Sequence, residues 1–393
     1  MTTTDAAASR AATDAAVESA LSTVARNIPV FATKYPADTT RDDVYPYRPA
    51  TDTLPEGSNY GWTTSFWPGQ LWLAAELTGD RAYHEAARAH VASFAARVRD
   101  GVDLDTHDLG FLYTLACVTA WRLDGDATAR AAALAAADAL MLRFLEPAGI
   151  IQAWGDLGDP RQRGRTIIDS LMNMPLLRWA TLESGDARYA EAAQRHTAQL
   201  CDHIVRPGGS TFHTYYWDTL TGEPLRGATE QGESDVSCWA RGQAWGIFGF
   251  ALAYRETGYA PFLAAARRCA DYYLDHLPPD GVPFWDLSLV DVERDSSAAA
   301  VAACGLDELV RVLPVGTPGR ERYATEARRV VDALVADYTP EPGSGSNALL
   351  LHGVYDNPKG IGVDEANLWG DYYFLEALTR RRLPDWVSYW WVR

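Results

Sequence analysis

The strongest constraint on this chain is a recurring unit in which a hydrophobic helical stretch ends at a glycine and an Ala-rich helical stretch follows at once. Two passages are close copies: Leu77-Thr78-Gly79-Asp80-Arg81-Ala82-Tyr83 and Leu182-Glu183-Ser184-Gly185-Asp186-Ala187-Arg188-Tyr189. Each is followed within three residues by Glu-Ala-Ala. Weaker copies lie at Asp124-Gly125-Asp126, at Glu256-Thr257-Gly258-Tyr259, and at Pro318-Gly319-Arg320 leading to Tyr323. The glycine suits the left-handed position that ends one helix, and the following Asp, where present, can cap the next. Each unit therefore predicts a helical hairpin.

The turns recur roughly every 45 to 75 residues, which is long for a two-helix solenoid repeat and fits hairpins carrying loops of different length. Those loops precede the first helix of each pair and hold most of the chemically interesting side chains: Trp62 and Trp67, His107 and Asp108, Trp154 and Asp169, His213, and the block 231–245. An open helical array explains the repeats equally well. It does not explain why aromatic and acidic residues gather at one end of alternate helices. Six hairpins closed into a ring, an all-α (α/α)6 barrel with the apolar helices inside, explain both. The 393 residues could make two or three average domains, but a ring of this size is commonly one unit with one core, so a single domain is expected over residues 21–393. Residues 1–20, Thr/Ala-rich, are expected to form a flexible lead. Short extended pieces are expected at 211–216 and near 282–285.

A net charge of −17, with no basic run longer than Arg380-Arg381-Arg382, excludes nucleic acid as a partner and should repel long polyanions. A short anionic ligand in a locally positive pocket is compatible with it. The first 20 residues lack the pattern of a secretory signal, and no apolar run approaches the length of a membrane span. Five widely spaced cysteines in apolar contexts favour free thiols in a reducing cytoplasm. Neither a CxxC pair nor an HExxH pattern is present, so no metal is expected.

Three stretches can carry chemistry. In Thr106-His107-Asp108-Leu109-Gly110-Phe111, either Thr106 or Asp108 could be a plain helix cap, but the adjoining His107 favours a functional role for Asp108. In Ile167-Ile168-Asp169-Ser170-Leu171-Met172-Asn173, one acid stands among apolar neighbours at a helix start. Desolvation there would raise its pKa and keep a proton available, as a general acid requires; the alternative is again a cap. In the third, Arg241 and Trp245 lie four apart, so on a helix they set a guanidinium beside an aromatic plate, which suits a sugar carboxylate. Fourteen Trp exceed what a core needs, and indole faces stack on sugars. We assign Trp62, Trp154 and Trp245 to a pocket and Trp72, Trp121, Trp179, Trp386, Trp390 and Trp391 to packing. His213 reads equally well as a ligand contact or a structural histidine.

These stretches, with Gly362-Val363-Asp364-Glu365 and Trp369-Gly370-Asp371-Tyr372-Tyr373, resemble the unsaturated glucuronyl hydrolases, family 88 of the glycoside hydrolases, from about Trp62 to Tyr373. The resemblance implies an (α/α)6 barrel and a small anionic oligosaccharide substrate, the product of a polysaccharide lyase, with a C4=C5 double bond in its terminal uronic acid. It implies that Asp169 protonates C4 and then helps water add at C5, with Asp108 raising the pKa of Asp169 and holding sugar hydroxyls. It places Trp62, His107, Trp154, His213, Gln231, Arg241 and Trp245 around the unsaturated sugar, and it implies no metal or organic cofactor. A monomer or weak homodimer is expected. Relatives that prefer sulfated fragments carry Ser and Lys just before the Gly-Val-Asp-Glu motif, whereas this chain reads Asp356-Asn357-Pro358-Lys359-Gly360-Ile361, which argues against a strong preference for sulfate. The rivals are an unsaturated rhamnogalacturonyl hydrolase, an inverting glycosidase, for which no carboxylate pair stands out, and a non-catalytic sugar-binding barrel.

Overall fold

A helix that is apolar on every side has to be buried on every side, and a helix with one apolar stripe can cover it. The chain alternates these two kinds. The structure, a computed structural model, describes residues 3–391. It opens with α1 (Thr3–Val30) and continues with α2 (Phe66–Thr78) followed by α3 and α4 (Arg81–Ala89, Val91–Arg99). Next come α5 and α6 (Leu109–Tyr113, Thr119–Asp124), joined through a π-helical turn (Thr114–Val118), and then α7 (Ala127–Met141). The remaining pairs are α8 with α9 (Met174–Ser184, Ala187–His203), α10 with α11 (Ala240–Thr257, Ala260–Asp275) and α12 with α13 (Ser296–Val312, Arg320–Asp337). The last helix is α14 (Leu368–Arg382).

The first member of each pair is buried nearly all round: fourteen successive residues of α10, from Ala240 to Ala253, are buried. The second member is buried along one stripe, as α7 is at Ala129, Ala132, Ala133, Ala136, Ala137 and Leu140. α14 packs against both α12 and α2, which closes the inner helices into a ring. This is the (α/α)6 barrel, and it rules out the open array.

Only five of the six pairs are hairpins in sequence. The sixth is built from distant parts of the chain, with α1 lying against α13 and α14. Of the segment 1–20 expected as a flexible lead, Met1 and Thr2 lie outside the described residues; from Thr3 onward the chain is helical, and Val17, Ala20 and Val24 are buried in the shared core. An Ala-rich segment has high helix propensity and, with one apolar face, finds a groove to cover.

At four turns the expected chemistry is present. Gly79, Gly125, Gly185 and Gly258 adopt left-handed φ values of 65 to 78°. Asp80, Asp126 and Asp186 then accept hydrogen bonds from amides of the next helix. At the fifth, Gly319 does not end a helix. It stands immediately before α13, and α12 has already stopped at Val312.

Small sheets occupy the long loops. β1 and β2 (Phe144–Leu145, Ile150–Ile151) pair, as do β6 and β7 (Gly353–Asp356, Ile361–Glu365), and β3, β4 and β5 (Arg165–Ile167, Thr214–Trp217, Pro224–Ala228) form an antiparallel sheet. The extended piece expected at 211–216 meets β4 over Thr214–Tyr216 and an isolated bridge at Thr211, while 282–285 contributes only an isolated bridge between Phe284 and Arg294. Among the described residues no helix is long and apolar enough to cross a membrane, and all five cysteines are buried free thiols.

Candidate active site

The loops entering the N-terminal ends of the inner helices bring the acidic candidates together. The segments around His107 and Trp154 are zipped by backbone bonds: Thr106 bridges Trp154, His107 N donates to Ala153 O at 2.6 Å, and Gly155 N donates to Asp105 O at 2.9 Å. Asp108 then sits just before α5 without capping it. Its Oδ2 instead accepts from the Thr106 hydroxyl at 2.7 Å.

Asp169 lies in a 3-10 turn over Ile168–Asn173, not on the helix that the sequence suggested. Pro175 occupies the first turn of α8 and has no N–H to continue an α-ladder backward, so α8 starts only at Met174 and the preceding turn is tighter. This turn and α5 approach so closely that a Cβ on Gly110 would lie 2.2 Å from Asn173 Cα and 2.4 Å from its carbonyl oxygen. The Phe111 amide donates to Asn173 Oδ1 at 2.7 Å across the same contact. Gly110→Ala is expected to push α5 off the turn, lowering turnover at least about tenfold and reducing the unfolding free energy by about 1–3 kcal/mol, checked by kinetics and urea denaturation.

The result is a cluster in which His107 Nε2 lies 3.3 Å from Asp108 Oδ1 and 3.5 Å from Asp169 Oδ1. Asp169 Oδ1 is buried and has no hydrogen-bond partner, so neither acid is a mere cap. Burial pushes Asp169 well above the ordinary carboxylate range, the charge of Asp108 adds to this, and Arg241 opposes it. Burial also raises Asp108 to about 6, against hydrogen bonds from Thr106 and Asn173. His107 is pushed down to about 3 by burial and by the nearby Arg143 and Arg165, so it is neutral at physiological pH. Its Nδ1 is buried without a partner, which leaves the single ring proton on Nε2 facing both carboxylates. One oxygen from each acid and the imidazole nitrogen lie within 4.8 Å of one another, a donor set that could also take a cation.

Above the cluster is a cavity of about 350 Å³. Trp62, Trp154 and Trp245 line it as expected, as do His107, Asp108, Asp169, Gln231 and Arg241. Trp62 is steadied by its Nε1, which donates to Tyr355 Oη at 3.1 Å. Arg241 and Trp245 stand one turn apart on α10, but Arg241 is not a bare receptor for a carboxylate. Its Nη1 donates to Asp295 Oδ2 at 2.9 Å and to Val354 O, and its Nη2 donates to Tyr355 O at 2.8 Å. Gln231 Nε2 reaches the same Tyr355 carbonyl at 2.9 Å, so these two side chains hold β6 against the cavity.

His213 does not line the cavity. It is buried behind the wall, its ring 4.3 Å from that of Trp239, and its Nδ1 accepts from the amides of Glu230 at 3.0 Å and Gln231 at 3.2 Å. Burial drives it well below the usual histidine range, which keeps Nδ1 an acceptor. Three lining residues escaped the sequence reading: Glu230, Trp239 and Tyr355. Glu230 adjoins Gln231 and Trp239 lies within the block already singled out, so proximity was a usable signal for both. Tyr355 had none, because β6 reaches the site only through tertiary contact. Glu230 pairs with Arg165 at 2.8 Å, and Arg165 covers Trp154 at 4.4 Å. Lys359 pairs with Asp356 at 2.7 Å.

The sequence model described as Glycosyl Hydrolase Family 88 matches residues 41–379. The chain is 43% identical over 378 residues to the unsaturated chondroitin disaccharide hydrolase of Streptococcus pyogenes serotype M1, covering 95% of this chain and 92% of that one. The crystal structure of unsaturated glucuronyl hydrolase from Streptococcus agalactiae superposes with a TM-score of 0.91 at 42% identity, covering 96% and 94% of the two chains. An aspartate-to-asparagine variant of the same Streptococcus agalactiae enzyme, complexed with dGlcA-GalNAc6S, superposes with a TM-score of 0.83 at 39% identity, covering 96% and 93%. With that coverage, and with the acidic cluster at the mouth of an (α/α)6 barrel, the chain belongs to glycosyl hydrolase family 88.

Proposed function

We propose that this chain is an unsaturated glucuronyl hydrolase that releases a 4,5-unsaturated uronic acid from the non-reducing end of glycosaminoglycan-derived disaccharides by hydrating the C4=C5 bond. The observation that carries the mechanism is the Asp169 carboxyl, which holds its proton through burial and faces Asp108 across one imidazole. Protonated Asp169 delivers its proton to C4, and positive charge develops at C5, stabilised by the ring oxygen. The resulting Asp169 carboxylate takes a proton from water as the oxygen of that water bonds to C5. The hemiketal so formed opens to a ketone at C5 and leaves a hemiacetal at C1, which collapses to an aldehyde as the saturated sugar departs with the hydroxyl proton.

The two acids do not suit an inverting glycosidase. Their nearest oxygens lie within 4.8 Å and approach the same nitrogen, whereas inversion needs carboxyls about 6.5–9.5 Å apart on opposite faces with water between. A purely binding barrel would gain nothing from a desolvated carboxyl without a partner, which is costly to keep.

The pH profile follows from the two acids. Activity needs Asp108 ionised and Asp169 protonated. The rate on a disaccharide is therefore expected to rise with pH through about 6, the raised value of Asp108, and to fall at higher pH as Asp169 loses its proton. Asp108→Asn should lower the rate at every pH, and the residual activity should lack the acid limb and lose its basic limb at lower pH, because a like charge no longer raises Asp169. A rate that climbs steadily into alkali would contradict the general-acid role.

Selection of the leaving sugar rests on the pairs at the mouth. Lys359 is held by Asp356 and Arg165 by Glu230, so each of these cations already faces a carboxylate. Consumption of unsaturated hyaluronan, chondroitin and heparin disaccharides, followed by ultraviolet absorbance, is expected to favour the unsulfated ones. Asp356→Asn, which frees Lys359, should raise relative activity on sulfated disaccharides about tenfold. Equal rates on sulfated and unsulfated substrates would remove this assignment. Loss of absorbance with pectin-derived disaccharides alone would favour the rhamnogalacturonyl reading.

A further inference from the structure

The end of the barrel opposite the cavity is closed by residues 383–391, which turn back under the inner helices after α14. Their placement is tightly specified. Trp386 Nε1 and Tyr389 Oη both donate to Glu76, and Trp390 Nε1 donates to Glu376 at 2.9 Å, with Ser388 Oγ on the same carboxylate at 3.2 Å. Arg122 Nη1 reaches the carbonyls of Ser388, Tyr389 and Trp391, and the Arg255 guanidinium lies 3.4 Å from the ring centre of Trp391.

Trp390 is fully buried at the centre of the barrel. Its ring stacks on Tyr373 at 5.9 Å and meets Phe111 edge-on at 5.7 Å. Phe111 in turn touches Trp62 at 5.6 Å and Trp245 at 5.5 Å, two walls of the cavity, and Tyr373 touches Trp245 at 5.3 Å. Phe111 is also the residue whose amide is tied to Asn173, three positions after Asp108 and four after Asp169 respectively. One buried ring therefore separates Trp390 from both the aromatic walls and the contact that sets the two acids side by side.

We infer that Trp390 is a positioning residue for the reaction: the C-terminal segment is a plug whose indole fixes Phe111, and through it the spacing of Asp108 and Asp169 and the stance of Trp62 and Trp245. The inference deepens the hydration reading and rests on it for its kinetic consequence. Packed interiors pass displacement on instead of absorbing it, because there are few voids to take it up. A shorter side chain at 390 leaves space under Phe111 and lets α5 settle away from the turn that carries Asp169.

The test uses Trp390→Phe and Trp390→Leu in the full chain, with steady-state kinetics on the preferred unsaturated disaccharide and hydrogen exchange of the amides in residues 108–118. The expected result is a graded fall in kcat, about threefold for Phe and at least about tenfold for Leu, with a smaller rise in KM as Trp62 and Trp245 shift, and faster exchange in residues 108–118. If the Leu variant does not fold, the Phe variant decides. Unchanged kcat, or unchanged exchange at 108–118, in whichever variant folds overturns the inference. If wild-type protein consumes no unsaturated disaccharide, it is the hydration reading that falls, and the exchange result alone judges Trp390.

Discussion

Asp169→Asn should abolish turnover, lowering kcat at least about 10³-fold, while leaving disaccharide affinity within a few-fold of wild type. The amide keeps the shape and a hydrogen-bond donor, so the walls formed by Trp62, Trp154 and Trp245 still receive the sugar. What is lost is a proton for C4 and then a base for water. The same substitution should stabilise the fold at alkaline pH, and the sign follows from linkage. Burial raises the Asp169 pKa, so the native state holds this proton more tightly than the unfolded chain does. That contribution is fully present below the unfolded value near 3.8 and is lost as pH rises through the native value. At a pH above it, wild type carries a buried charge that the asparagine variant does not. Urea denaturation at pH 6 and pH 9 checks this: the stability difference between variant and wild type should grow with pH. A variant equally inactive but destabilised at both pH values would point to a structural role for Asp169.

Arg241→Ala should be the most destabilising single change at the site, by about 3–5 kcal/mol, because it strands Asp295, which is wholly buried and paired with Arg241 at 2.9 Å. Asp295 cannot be spared in return: its Oδ1 accepts from Ser297 N, Ala298 N and Ser297 Oγ at the start of α12. Arg241 also fixes the carbonyls of Val354 and Tyr355, so its loss frees β6 together with the Asp356–Lys359 turn. Activity should fall with stability, and KM should rise as Tyr355 moves away from Trp62. A double-mutant cycle with Asp295→Asn separates the effects: the pair should show a coupling of about 2–3 kcal/mol, since with Asp295 neutralised the missing guanidinium costs less. A coupling near zero would mean that the backbone contacts alone hold the site.

What the sequence made legible was local. The left-handed glycines announced four hairpins, three of them with a capping Asp beside the glycine, because both features act over a few residues. Asp108 and Asp169 stood out because an acid among apolar neighbours is a local pattern. The pairing of α1 with α14 was illegible for the opposite reason. It joins segments more than 330 residues apart, and an Ala-rich stretch alone does not say which groove it will cover. Tyr355 was missed on the same grounds, since its place beside Trp62 is created by Arg241 and Gln231 pulling on a strand that no periodicity marks. His213 was an even choice at the level of sequence, and the structure places it behind the wall, where one ring nitrogen serves two backbone amides.

Hydration at C5, as opposed to cleavage at the anomeric carbon, makes the sharpest demand on experiment. The decisive measurement follows, in D2O and from the first turnovers, both the ultraviolet absorbance of the C4=C5 bond and the release of the saturated sugar from an unsaturated disaccharide. If Asp169 protonates C4, absorbance should fall in equal measure with every sugar released, and the product should carry deuterium at C4. If sugar is released while the absorbance persists and C4 carries no deuterium, the double bond is a bystander, and the two acids act on the glycosidic bond instead.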